Sequence, residues 1–502
     1  MSMLRELATF QVQVIESDLS QAEQPLSDTT RILEADLSQI EQVRSDTRWF
    51  HTFWDALLAR RGITAYLPII VAVALLFCGA SWQMFHLHTD VTRYQCYATA
   101  FWQGDQGVRS LRDGQCSFFA EPGVDINNVA PFHILPFEYP PLTLSIFSLA
   151  MLVPALYYQV AFAVMMGLVA IGIYWLLQRY GPRGSGMACA VYLVLGTWAT
   201  AEGRFDLVPA GLTLLCLIAA ERRRWTLAYV ALALAFLLKI YPLLLLPALF
   251  MAEQLSYGCF RKPARPLTLK NLPGEIWQTL RGAGQWRWKN TLLYFGLILG
   301  ISGLFALFNF QGALVSQLSY FAERPVQIEA TGSTLLWLAT LIGHPASVVY
   351  TFGSANILSN LDNIVAQGCD VCFILGVALI TIWQWRGKFD LSQAFSALVL
   401  VFIVTNKVFS PQYLMWLIPL LAYNGAFNRR WLVLWGTISA LTTVIYPYIY
   451  MLAGPSYKAP YYPGFIEIVT VRNILMVVLT LAFLFNWWQL SQRKAIAAKS
   501  HW

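Results

Sequence analysis

The residues best placed to do chemistry are acids and cations at the edges of apolar runs. Asp90 stands in His86-Leu-His-Thr-Asp-Val91, just past the first long apolar run, Thr64–Phe85. A carboxylate there reaches both water and a lipid headgroup, which suits a general base taking a proton from a hydroxyl beside a membrane. Arg93, Tyr94 and Tyr97 follow at helical spacing, so Thr89-Asp90 reads equally well as a helix N-cap. His86, His88 and Asp90 alternate as metal ligands can, but alternation on a loop running into a helix suits a metal poorly. No metal and no other cofactor is expected.

Glu138-Tyr139-Pro140-Pro141 is a second candidate, in which Pro-Pro fixes either an extended entry or the first turn of a helix. Arg204 and Asp206 lie between two apolar runs. Lys239 precedes Ile-Tyr241-Pro and separates two short apolar stretches, and Lys407 precedes Phe-Ser-Pro-Gln412-Tyr. Ionisable groups at such depths are costly and are functional candidates by default. Cations converging there would suit a phosphate, Lys as a point charge and Arg as a fork. Lys239 could instead snorkel to the headgroups. Arg324 and Glu329, in Glu323-Arg-Pro-Val-Gln-Ile-Glu329, read either as site residues or as a surface ion pair of little worth.

The elements that must hold these residues are membrane helices. The chain has 502 residues, 57% hydrophobic and only 12% charged, against about a quarter charged in soluble domains. Apolar runs of about 20 residues recur without strand-like alternation, which indicates an all-α polytopic membrane protein rather than a barrel. We expect about twelve spans, within eleven to thirteen. The net charge of +7 comes from basic residues between spans and does not signal nucleic acid. Arg60-Arg61 before the first span puts the N-terminus in the cytoplasm and the His86–Pro141 loop outside. The basic segment Ser256–Asn290, with Glu275 its one acid, is then cytoplasmic, as is the C-terminus. In this layout Lys and Arg concentrate on the cytoplasmic side while acids divide almost evenly, which is what the positive-inside rule requires.

Residues 1–60 form an acidic tail with an internal duplication: Asp18–Thr29 recurs as Asp36–Thr47, a whole number of helical turns later. The transmembrane domain covers 61–490, with 86–141 its first extracytoplasmic loop, and 491–502 a second cytoplasmic tail. Cys96 and Cys116 both fall in that loop and could pair on an oxidising side. Cys369-Asp-Val-Cys372 lacks a second ligand pair and is weak evidence of metal binding.

Five motifs occur in a fixed order: Asp90 after the first span, Phe137-Glu-Tyr-Pro-Pro-Leu142, Leu238-Lys-Ile-Tyr-Pro-Leu-Leu-Leu-Leu-Pro247, Glu323–Glu329, and Phe409-Ser-Pro-Gln-Tyr-Leu-Met-Trp416. Over about residues 60–490 the chain resembles the polyprenol-phosphate-sugar-dependent glycosyltransferases of the GT-C fold. The resemblance is to glycosyltransferase family 87 and the related GPI and phosphatidylinositol-mannoside mannosyltransferases. It implies a multi-pass plasma-membrane enzyme with an extracytoplasmic active site and no metal. It further implies a sugar donor linked to polyprenyl phosphate, a lipid or glycan acceptor, Asp90 as the base, and Lys239, Arg324 and Lys407 at the phosphate. Mannose is the sugar it suggests. The chain departs from the family around Arg109–Val129, which leaves the acceptor open. A lipid or sugar transporter shares the many spans and buried charges, but it would want polar groups near the midplane and repeated spans.

Overall fold

The computed structural model describes residues 62–87, 89–120, 130–260, 272–424 and 429–485. The duplicated tail, His88, residues 121–129 of the divergent loop and the C-terminal tail lie outside them. The chain divides into units Met1–Ala65 and Tyr66–Trp502. Everything below concerns the second.

Its helices, in chain order, are α1 Leu67–Gly79, α2 Ser81–Phe85, α3 Asp90–Arg109, α4 Thr143–Leu149, α5 Tyr158–Tyr180, α6 Ser185–Thr197, α7 Leu207–Glu221, α8 Trp225–Leu238 and α9 Leu246–Ser256. There follow α10 Leu272–Arg281, α11 Lys289–Ala306, α12 Ser316–Glu323, α13 Thr331–Thr340, α14 Asp362–Trp385, α15 Leu391–Thr405, α16 Tyr413–Tyr423, α17 Arg429–Thr443, α18 Tyr450–Ala453 and α19 Phe465–Leu484.

Five segments among the described residues are long and apolar enough to cross a membrane: Ala155–Tyr180, Lys289–Ala306, Asp362–Trp385, Arg430–Ala453 and Phe465–Leu484. The chain is thus a mostly helical membrane protein. Shorter apolar helices pack between these crossings. In α16 every residue from Leu414 to Tyr423 is buried, although its 11 residues span only about 16 Å at the helical rise. The expected twelve spans therefore mix two kinds of helix: long ones that face lipid, as α14 does, and short ones that build an interior. The short ones stop where the sequence turns polar, and those polar turns carry the candidate residues. Lys239 is one such stop, with extended backbone at φ −154° and ψ 139° between α8 and a 3-10 turn over Tyr241–Leu245. Leu142–Pro154, too short to read as a span, is α4 and a following 3-10 turn.

A small antiparallel sheet departs from the all-α expectation. Strands β1 Val326–Gln327, β2 Ala346–Thr351 and β3 Ser354–Ser359 take the order β1-β3-β2. The β2–β3 hairpin turns on Phe352 and Gly353, with φ 53° and 65°. Two successive left-handed residues are the type I′ geometry that matches strand twist. A side chain is strained at that φ, so Gly suits the second position.

Candidate active site

Helix α3 opens with a capping box. The Thr89 hydroxyl accepts from the Thr92 amide and the Thr92 hydroxyl accepts from the Thr89 amide. Thr89 is therefore the cap, and the reading of Asp90 as N-cap is corrected. With its neighbour doing that work, the Asp90 carboxylate turns outward to Arg204, Oδ2 to Nη2 at 2.5 Å. One turn along α3, Arg93 pairs with Glu138 and lies over the Phe118 ring. Burial opposes both guanidinium charges. The carboxylates of Glu138 and Asp90 nevertheless hold Arg93 and Arg204 above the ordinary arginine pKa.

Glu138 and Tyr139 precede Pro140-Pro141, and the first turn closes with the Thr143 and Leu144 amides donating to the Pro140 and Pro141 carbonyls. Tyr139 is buried against Tyr94, Phe147 and Phe205. Its ring is one wall of an aromatic box around Lys239, whose Nζ lies 5.1 Å from Tyr139, 4.8 Å from Phe205 and 5.7 Å from Trp416. Asp206 closes the box from behind. It is fully buried, lies 2.9 Å from Lys239 Nζ, and accepts the Trp416 indole N–H at 2.7 Å. Tyr241 stacks on the same indole with ring centres 4.2 Å apart.

These groups surround one cavity of about 1130 Å³. Asp90, Arg93, Glu138, Tyr139, Arg204, Lys239, Tyr241, Arg324, Glu329 and Gln412 all line it. Two of the candidates do not. Asp206 sits behind Lys239 rather than at the surface. Lys407 points elsewhere, its ammonium donating to the Ala322 carbonyl at 2.8 Å. Arg93 and Arg204 stand at the cavity instead, so the cations that converge are Arg93, Arg204, Lys239 and Arg324. Arg324 donates to Ser354 Oγ in β3 at 2.8 Å, and Gln412 accepts from Ser410.

Glu329 is not a surface partner of Arg324. It is buried, with Tyr450 Oη donating to its Oε1 at 2.8 Å and Arg472 at 3.8 Å. Arg472 was missed in the sequence because it sits inside the last apolar run. An arginine there was itself the signal. The hairpin tip, with Tyr350, Phe352, Gly353 and Ser354, and the aromatics Trp82, Tyr446 and Tyr450 also line the cavity without having been singled out. An apolar flank runs over Leu243, Leu244, Pro247, Phe373, Ile374 and Val377. The described residues hold no cluster of three or more His, Cys, Asp or Glu able to bind a metal. Cys96 and Cys116 are joined by a disulfide, while Cys369 and Cys372 are free thiols.

One segment carries Glu138, Arg204, Asp206, Lys239 and Tyr241. Residues 137–257 match the profile of glycosyltransferase family 87. Over that segment the chain is similar to glycosyltransferase family 87. The match covers about a quarter of the chain, and that quarter holds half of the residues facing the cavity's charged end. No curated protein matches in sequence. Among solved structures the chain is similar to ArnT from Cupriavidus metallidurans in the apo state, at 14% identity over 84% of this chain and 76% of that one, with a TM-score of 0.37. A likeness of that strength says nothing about substrate or chemistry.

Proposed function

We propose that the protein moves a sugar from a polyprenyl phosphate donor to a lipid or glycan acceptor on the extracytoplasmic side, with inversion and with Asp90 as general base. The observation that carries the reading is one cavity in which the Asp90–Arg204 and Glu138–Arg93 pairs stand beside Lys239 and Arg324, next to an apolar flank. Asp90 takes the proton of an acceptor hydroxyl. The freed oxygen attacks the anomeric carbon, and the bond from that carbon to the phosphate oxygen breaks. The departing phosphate monoester carries its charge onto Lys239, Arg324 and Arg204, which are fixed in place before reaction. A phosphate leaves readily, so no strong general acid is needed. The flank from Leu243 to Val377 accommodates a polyprenyl chain that stays in the bilayer.

Mannose is the sugar we propose, on the family resemblance alone. The Cys96–Cys116 disulfide supports an oxidising, extracytoplasmic side for the α3 loop. The positive-inside bias supports the plasma membrane orientation with both termini in the cytoplasm. The test is purified full-length protein in lipid, supplied with a panel of polyprenyl phosphate sugars and a crude glycolipid extract. Label should pass from one donor to extract lipids or glycans without added metal. Consumption of no donor in the panel would reject the reading.

A further inference from the structure

Helix α10, Leu272–Arg281, takes no part in the cavity, and none of its residues is buried. Leu272, Ile276, Trp277 and Leu280 fall on one side of it at helical spacing, and Gln278 lies opposite. Ile276, Trp277 and Leu280 are 41%, 58% and 49% exposed. A helix this short is marginal in water unless some surface covers such a face. The turn that follows it is fixed on both sides. The Trp288 indole donates to the Ala283 carbonyl at 3.1 Å, which ties that turn to the head of α11. Gln254 in α9 brackets Arg287, its Nε2 donating to the Arg287 carbonyl at 3.2 Å and its Oε1 accepting the Arg287 amide at 3.0 Å. α11 is long and apolar enough to cross a membrane, so its head marks the level of a bilayer surface. Aromatic rings cluster there, Trp286 lying 4.8 Å from Phe260 and 5.5 Å from Trp288, as they do at membrane–water interfaces.

The surrounding sequence is strongly basic. From Ser256 to Asn290 it carries seven Lys or Arg against one acid, Glu275. Arg281 lies over the Trp277 ring at 5.4 Å, so a cation borders the apolar face, as it does where a lipid headgroup meets its acyl chains. A second copy of the chain presenting the same face would bring like charges together and be repelled. A bilayer without anionic lipid would take the apolar face and leave the cations unanswered. We infer that α10 lies in the plane of the bilayer surface, with Ile276, Trp277 and Leu280 among the acyl chains and Arg281, Arg287 and Lys289 on anionic lipid headgroups. The inference goes beyond the glycosyl-transfer reading and does not depend on it.

The experiment uses the full chain with Cys78, Cys259, Cys369 and Cys372 replaced by serine. Cys189 and Cys216 are buried, out of reach of a label, and stay. A nitroxide is attached at Ile276→Cys or at Gln278→Cys, and its collisions with oxygen and with a water-soluble nickel chelate are read in nanodiscs. Ile276, Gln278 and Arg281 are exposed, so their replacement leaves the fold intact. In discs of phosphatidylcholine with phosphatidylglycerol, the label at 276 should meet oxygen and little nickel, and the label at 278 the reverse. Arg281→Gln in these discs should raise nickel access at 276 about fivefold, the worth of one cation at an anionic surface. Discs of phosphatidylcholine alone should raise it further. Nickel access at 276 as high as at 278 in both kinds of disc would place the helix in water and overturn the inference. Shelter of 276 from both reagents would mean that protein, a second copy or a partner, covers the face, and would overturn it too. Shelter from nickel that ignores both phosphatidylglycerol and Arg281 would overturn the pairing with anionic headgroups.

Discussion

Asp90 Oδ2 and Arg204 Nη2 stand 2.5 Å apart in the cavity lining, one at the start of α3 and the other in the turn between α6 and α7. Thr89 already caps α3, so Asp90 contributes nothing to capping. Asp90→Asn should therefore fold, keep Arg204 company through its amide, and lose turnover by about 10²–10⁴-fold, as removal of a general base does. Near-normal transfer by this variant would exclude Asp90, and Glu138 would be tested next.

Lys239 and Asp206 are a buried pair with an aromatic lid. Removing one partner of such a pair costs about 3–5 kcal/mol, because the other charge is left in a dry site. Asp206→Asn should lower the apparent melting temperature clearly. Replacing both with apolar residues, Asp206→Leu with Lys239→Met, should recover much of that loss while transfer falls, since one of the proposed phosphate cations is gone. A double variant as unstable as the single, or one with undiminished transfer, would contradict this arrangement.

Glu202 gives a pH signature. It lies in the turn before Arg204, fully buried, and neither carboxylate oxygen has a hydrogen-bond partner among the described residues. Burial pushes its carboxyl up to about 8. The folded protein thus holds a proton that the unfolded chain releases near the ordinary glutamate value. The stability this gives is present at low pH and is lost as pH rises from about 5 toward 8. Glu202→Gln should flatten that slope and stabilise the protein most at pH 8. Thermal unfolding in lipid nanodiscs at pH 5.5 and 8 measures it, and an unchanged slope would count against a neutral Glu202.

The topology has its own test. Asp113 is exposed beyond the end of α3, and Gln278 is exposed in α10. With the free thiols removed, a cysteine at 113 should react with an impermeant maleimide in intact cells and one at 278 should not. The opposite pattern would invert the membrane and move the site to the cytoplasm. In the same preparation, reduction of Cys96–Cys116, which closes a loop of 20 residues, should cost about 3 kcal/mol in a chain-entropy account.

What the sequence made legible was the local chemistry: isolated charges where apolar runs stop. Asp90, Arg204 and Lys239 stood out because a charge at membrane depth is costly wherever it sits. Their partners were not legible, because pairing is set by packing between distant segments. The sequence groups Asp206 with the cavity residues, but Trp416, far along the chain, holds it behind Lys239. The sequence groups Lys407 with the phosphate cations, but its ammonium donates to the Ala322 carbonyl. Arg472 went unremarked inside an apolar run, although its position alone should have flagged it. The hairpin escaped because its two short strands alternate weakly between two helical segments.

That hairpin bears on how substrate arrives. β3 is paired on both edges, to β1 and β2. β1 is tied onward by the Gln327 amide donating to the Lys407 carbonyl and by the Phe409 amide donating to Gln327 Oε1. The tip is pinned by Tyr320 on the Phe352 carbonyl and by Arg324 on Ser354. Moving this hairpin would break all of these bonds at once and would pull Arg324 from its place at the cavity. The flank that includes Leu243 and Phe373 is lined by apolar side chains. We therefore propose that substrate enters the cavity past the apolar flank while the hairpin, tied at both edges and at its tip, stays in place.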